Sequence, residues 1–90
     1  MHVDEYEISL AREIKVCENT IKRIRKTLGL MEQKHHKTTE VFIEEFRKGS
    51  LAADTANQDD YRAWNDTFES LKRWLDLEQQ YREQFRIMKI

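Results

Sequence analysis

The sequence predicts an all-α fold: a long helical hairpin with a short helix between its two arms. The 90-residue chain has 37% charged residues, no proline and two glycines, a composition typical of long solvent-washed helices. Apolar residues on the first segment recur at alternating steps of four and three, and those on the last segment follow the 3.6-residue period. We therefore expect a single helical domain over residues 1–90.

The first helix is predicted over about residues 4–35. Its apolar ladder is typical of a helix that lies along another helix, and the acidic Asp4, Glu5 and Glu7 suit its N-terminus through the helix dipole. Gly29 falls on the outward side, where it weakens the helix by roughly 1 kcal/mol relative to alanine without breaking it. The predicted seam residues are Leu10, Ile14, Cys17, Ile21, Ile24, Leu28 and Met31.

A break between helices is predicted after Lys34. Thr38 or Thr39 can cap a new short helix over about residues 39–48, because threonine hydroxyls accept hydrogen bonds from the free N–H groups at a helix start. The alternative is one continuous helix over residues 4–48.

Two phenylalanines share one face of the short helix. Phe42 and Phe46 stand at i and i+4, and Gly49 follows in the position that favours left-handed dihedrals. Such rings usually fill a core, but beside a Gly-Ser loop they can also present aromatic surface to another protein. We therefore keep both residues as candidates for core packing and for partner binding.

A loop is predicted over residues 49–58 and a second long helix over about 58–89, with Asp54 or Asn57 as its cap. Trp64 and Trp74 are ten residues apart and so lie about 80° apart around this helix, on adjacent faces. Both can be core residues, or one can meet a partner. The remaining apolar residues assigned to the core seam are Tyr61, Phe68, Leu71, Leu75 and Phe85.

The apolar stripe of the last helix is too wide for one facing helix to cover. Pairing with a second chain would complete the core, and two-fold homodimers are the commonest oligomers. We expect a homodimer that forms a four-helix-type bundle. Cys17 needs no role beyond that of a small buried hydrophobe in the seam.

The net charge of −1 hides a segregation of charge, since residues 12–37 carry an excess of basic residues. A row of basic residues along a helix usually forms an ordinary solvent-exposed face, and the alternative is that it binds phosphates. No aromatic residues interleave with these cations, and no helix-turn-helix signature is present. The basic stripe comprises Arg12, Lys15, Lys22, Arg23, Arg25 and Lys26.

No catalytic, cofactor or metal motif is present in the sequence. His35 and His36 are adjacent and point about 100° apart in a helix, so they cannot grip one ion together. No serine has a histidine at a spacing that would indicate a nucleophile and its general base. We expect no enzyme activity, no cofactor and no small-molecule substrate. The start of the chain lacks a signal-peptide pattern and no long apolar run occurs, so we expect a cytoplasmic protein without a membrane segment.

Several local patterns occur along two-thirds of the chain, from Ile24 to Glu83. They are Met31-Glu32, Thr38-Thr39-Glu40, Phe42 with Phe46, Gly49 with Leu51, an aspartate-containing loop, and Trp64 to Trp74. This segment resembles a group of small prokaryotic all-helical proteins that are regarded as antitoxin components of toxin–antitoxin pairs. Members of that group carry a Ser-Ser-Glu helix start, a Phe-x-x-x-Phe turn, a Gly-Glu-Leu ending, an acidic loop and an aromatic closing helix.

This sequence departs from that group in two places. His35 and His36 stand where a Tyr-Gly pair is usual, and Ser50, Ala52 and Ala53 replace acidic and glycine residues. The resemblance implies a non-enzymatic protein-binding module that occludes a small toxin encoded by an adjacent gene. The alternatives are a nucleic-acid-associated helical protein that uses the basic stripe, and a purely structural assembly module.

Overall fold

The computed structural model describes residues 5–88, which contain three α-helices and no strand. The helices are α1 (Glu5–His35), α2 (Thr39–Arg47) and α3 (Gln58–Met88). The all-α prediction is confirmed for this range. The predicted helix limits at residues 4 and 89 lie outside the described residues. The predicted loop is shorter than expected, because a 3₁₀ turn at Thr55–Asn57 leads directly into α3.

The two long helices form an antiparallel hairpin. At its open end the Tyr6 hydroxyl donates to Gln84 Oε1 at 3.1 Å, and at its closed end His35 Nε2 lies 3.0 Å from Asp60 Oδ2. The molecule is elongated, with extents of 63 × 20 × 16 Å. No helix within residues 5–88 is long and apolar enough to span a membrane.

The break between α1 and α2 lies at His36, which adopts a φ of 55°. This left-handed residue turns the chain, and the Lys37 N–H donates back to the Glu32 carbonyl at 3.3 Å, as in a Schellman ending. Thr38 is then extended, and its hydroxyl accepts from the Val41 N–H at 3.3 Å. Thr38 is therefore the cap, and the alternative of one continuous helix is wrong.

The end of α2 follows the glycine signal in the sequence. Gly49 has a φ of 78°, a left-handed conformation that glycine adopts at little steric cost because it has no side chain. The Gly49 N–H donates to the Phe46 carbonyl at 3.2 Å and the Ser50 N–H to the Glu45 carbonyl at 3.0 Å. Two free carbonyls at the end of the helix are satisfied in this way.

The predicted seam residues line the space between the two arms. Leu10, Cys17, Ile21 and Leu28 of α1 are buried, and Ile14, Ile24 and Met31 are half-buried. On α3, Tyr61 and Leu71 are buried, whereas Phe68, Leu75 and Phe85 are half-buried. Three further fully or largely buried residues come from α2, namely Thr39, Phe42 and Ile43.

Of the two predicted caps of α3, Asp54 and Asn57, Asp54 is not the cap. Its carboxylate accepts from both the Asn57 side-chain amide, at 3.0 and 3.1 Å, and the Tyr61 hydroxyl, at 2.7 Å. The reason is its position, since the 3₁₀ turn Thr55–Asn57 separates Asp54 from the first residue of α3. Asp54 thereby ties the loop to the first turn of α3.

Candidate protein-binding face

Two of the four partner-binding candidates are core residues in the structure. Phe42 and Trp64 are each 0% exposed, and their rings stack in parallel with centroids 4.0 Å apart. The partner-binding alternative is corrected for this pair, since neither ring offers surface to another molecule. The physical reason is the fold-back of α2, which places its apolar face on the closed end of the hairpin.

A polar bridge accompanies this stack. The Trp64 Nε1–H donates to the Thr39 hydroxyl at 3.1 Å, and the Thr39 N–H donates to the Glu32 carboxylate at 2.7 Å. Thr39 is itself buried, so the indole donor finds its partner inside the core. One short connection through Glu32, Thr39 and Trp64 therefore joins all three helices.

The closed end also contains a cluster of titratable groups. Asp60 Oδ2 lies 2.7 Å from Lys34 Nζ and 3.0 Å from His35 Nε2. Hydrogen bonds from Lys34 and then from His35 hold the pKa of the Asp60 carboxyl below its usual range. The pKa of the Asp54 carboxyl is also lowered, by the Asn57 amide and then by the Tyr61 hydroxyl, and the same contact with Asp54 raises the pKa of Tyr61.

This cluster does not have the composition of a metal centre. Within residues 5–88 no group of three or more histidine, cysteine or acidic side chains is placed to hold an ion. Cys17 is buried in the seam, and burial raises the pKa of its thiol, which keeps it protonated and unreactive at neutral pH.

The other two partner-binding candidates keep accessible surface. Phe46 is half-buried, with its ring centroid 5.4 Å from that of Phe42. Trp74 is also half-buried, and it lines an open groove of about 510 Å³ between the two arms. The groove is lined by Thr20, Arg23, Ile24 and Thr27 of α1 and by Asp66, Thr67, Ser70 and Trp74 of α3.

The groove and α2 lie on opposite faces of the hairpin. Arg25 and Phe68 line the depression beside α2, together with residues of α2 itself. Thr27 and Asp66, which line the groove, are each two positions away along their helices and so about 160° around the axis. The groove side of the hairpin is therefore not covered by α2.

Apolar side chains extend this uncovered side toward the open end. Leu77 and Tyr81 follow Trp74 at i+3 and i+7 on the same face of α3, and both are half-buried. Val16, one turn before Thr20 on α1, is 48% exposed. We define the groove face as the residues that line the groove together with Val16, Leu77 and Tyr81.

The six residues of the basic stripe are all exposed, but they do not form one surface. Arg23 lines the groove face, and Arg25 lines the depression beside α2 on the opposite side. The remaining four share the outward face of α1 over about 21 Å. These outward cations are Arg12, Lys15, Lys22 and Lys26.

The chain has no significant match among protein-family models, curated proteins or solved structures.

Proposed function

We propose that the protein is a non-enzymatic, cytoplasmic protein-binding module that pairs with a second copy through the groove face to form a four-helix bundle. The observation that carries this proposal is the half-buried row of Trp74, Leu77 and Tyr81 on a hairpin only two helices thick. A second hairpin laid on this row completes the burial that one partner helix leaves unfinished. This row also explains why the apolar stripe of α3 is wider than α1 alone can cover.

The energetic argument follows from area. Burial of apolar surface contributes about 25 cal/mol per Å², so covering the exposed parts of these three large side chains on both copies contributes several kcal/mol before the cost of association. Large aromatic side chains such as those of Trp74 and Tyr81 are also the residue types that dominate binding energy at interfaces. The exposed apolar residues elsewhere, such as Val41 on α2, are scattered singly and need no such explanation.

Sedimentation at micromolar concentration tests the self-pairing. We expect a dimer for the natural chain and a weakened dimer for Leu77→Ser. The control is Val41→Ser, since Val41 is 44% exposed on α2, which lies on the side of the hairpin away from the groove. A monomeric natural chain, or equal dissociation constants for the two variants, would contradict the proposal.

The resemblance to antitoxin components extends the proposal to a second kind of partner. The module would occlude the functional face of a small toxin encoded by an adjacent gene, with the half-buried Phe46 corner as the docking point left accessible by the fold. Co-expression with the product of the adjacent gene tests this idea. Co-purification that Phe46→Ala abolishes without changing the melting temperature supports it, and separate elution of the two natural proteins contradicts it.

A second candidate function rests on the outward cations. Among the described residues, Arg12, Lys22 and Lys26 have no acidic partner within ion-pairing distance, so their charge faces solvent. Such a row could contact phosphates without reading sequence. Measurement of duplex binding as a function of salt discriminates this candidate, because release of counterions makes such binding steeply salt-dependent.

A further inference from the structure

The groove face carries one exposed cation and one exposed anion on opposite walls. Arg23 projects from α1 and Asp66 from α3, and both line the same groove. Within residues 5–88 neither side chain has an ion-pair partner. The Arg23 guanidinium instead donates to the Thr20 hydroxyl at 3.4 Å, which holds it along the wall of the groove.

Antiparallel arms give the groove face α1 along one edge and α3 along the other. Two copies can face each other across their grooves about a two-fold axis that runs parallel to the arms. This rotation places α1 of one copy over α3 of the other. A residue and its symmetry mate then lie at the same height along the bundle. The contacts at the two ends of the hairpin place Arg23 about level with Ser70, one turn or about 6 Å from Asp66. An arginine side chain spans that distance, so Arg23 of one copy reaches Asp66 of the other. A two-fold axis perpendicular to the arms sets α1 over α1, and at the level of the groove it opposes Arg23 to Arg23.

We propose that two copies dock groove face to groove face about a two-fold axis parallel to the arms, so that Arg23 of each copy pairs with Asp66 of the other. This inference rests on the self-pairing proposed above and adds its geometry. The symmetry forms the ion pair twice, since an isologous interface repeats every contact. The same operation sets each Trp74 against the Thr20 and Ile24 wall of the second copy.

The available area suits this occupant. The groove face runs about 23 Å along α3, and the whole side of the hairpin that contains it is about 46 Å long and roughly 20 Å wide, which offers on the order of 900 Å². A specific protein–protein interface of standard size buries about 800 Å² on each partner. A second copy of the hairpin matches this whole side in both length and width, and Arg23 and Asp66 of one copy are opposite in charge to Asp66 and Arg23 of the other.

Charge reversal provides the test. We expect Arg23→Glu alone, and Asp66→Arg alone, to raise the dimer dissociation constant at least about tenfold, because each change turns two attractive contacts into two repulsive ones. The two single variants mixed in equal amounts should form a heterodimer about as tight as the natural dimer. In that heterodimer the two introduced charges, which are opposite in sign, face each other at one contact, and the natural Arg23 and Asp66 meet at the other. A role confined within one chain could not produce this recovery.

Lys22→Glu is the control, since it changes the net charge by the same amount on the outward face and is expected to leave the dissociation constant unchanged. Circular dichroism of each variant at a concentration where all are monomeric checks that the helices remain. A dimer that tolerates both single reversals, or a mixture that fails to recover, overturns this docking geometry and leaves self-pairing intact. A natural chain that stays monomeric removes the proposed self-pairing itself.

Discussion

Trp64 and Phe42 lie face to face at the closed end of the hairpin, with ring planes parallel and centroids 4.0 Å apart. Trp64 belongs to α3 and Phe42 to α2, so this stack is the main apolar link between the short helix and the arms. His35 of α1 stacks on the same indole at 5.5 Å. The position of α2 therefore depends on a few aromatic contacts and not on a long helical seam.

We expect Phe42→Ala to lower the free energy of unfolding by about 3–5 kcal/mol, because a fully buried ring is lost and a cavity remains beside Trp64. Chemical denaturation followed by circular dichroism measures the change. Val41→Ala is the control on the same helix, where a 44% exposed side chain should cost under about 1 kcal/mol. Equal losses for the two variants would place the phenylalanine outside the core.

The polar bridge makes a separate prediction. Thr39→Val keeps the shape of the side chain but removes the acceptor of the Trp64 Nε1–H, which leaves a buried donor unpaired. We expect the free energy of unfolding to decrease by about 1–3 kcal/mol. Thr55→Val is the control, since Thr55 is exposed in the 3₁₀ turn. A variant as stable as the natural chain would show that the bridge contributes nothing to folding.

Periodicity predicted the arms well, because apolar spacing along a helix determines which residues can face a neighbour. All seven seam residues of α1 are buried or half-buried in the structure. The same spacing separates the two tryptophans, because Trp64 is in phase with Phe68, Leu71 and Leu75 whereas Trp74 lies about 80° away around α3. What periodicity along one helix could not show is the fold-back of α2, which covers Trp64 and is held partly by the contact between Glu32 and Thr39 of two different helices.

Two features of the candidate site had signals in the sequence that the seam pattern concealed. The spacing of Ser70, Trp74, Leu77 and Tyr81 already marks a second stripe on α3, about one helix face away from the seam. Arg23 and Arg25 are two positions apart, so they could not have shared a face. The left-handed conformation of His36 had no such signal, because no glycine marks the position and only a few per cent of non-glycine residues adopt it.

His36 gives a prediction of increased stability, in contrast to the two destabilising substitutions above. Its φ of 55° suits glycine, which has no side chain to make this conformation costly. We expect His36→Gly to stabilise the protein by about 0.5–1 kcal/mol, since the steric cost of a side chain in this conformation exceeds the extra freedom of glycine in the unfolded chain. Gln33→Gly, inside the last turns of α1, should destabilise by about 1 kcal/mol. A destabilised His36→Gly variant would mean that the imidazole makes a contact that outweighs the strain.

The last prediction concerns acid stability at the closed end. The pKa of Asp60 is lowered in the folded protein by Lys34 and then by His35, and the pKa of an unfolded aspartate is about 3.9. A folded pKa below the unfolded one adds stability above about pH 4, and this contribution is lost as the pH falls through the lower folded value. The Asp60→Asn variant should therefore be less stable than the natural chain at neutral pH. Its free energy of unfolding should also decrease less than that of the natural chain between about pH 5 and pH 2. Asp76→Asn, on an exposed position of α3, is the control that should keep the natural slope. Denaturant midpoints across this pH range measure both curves, and parallel curves for Asp60→Asn and the natural chain would assign the acid sensitivity to other carboxylates.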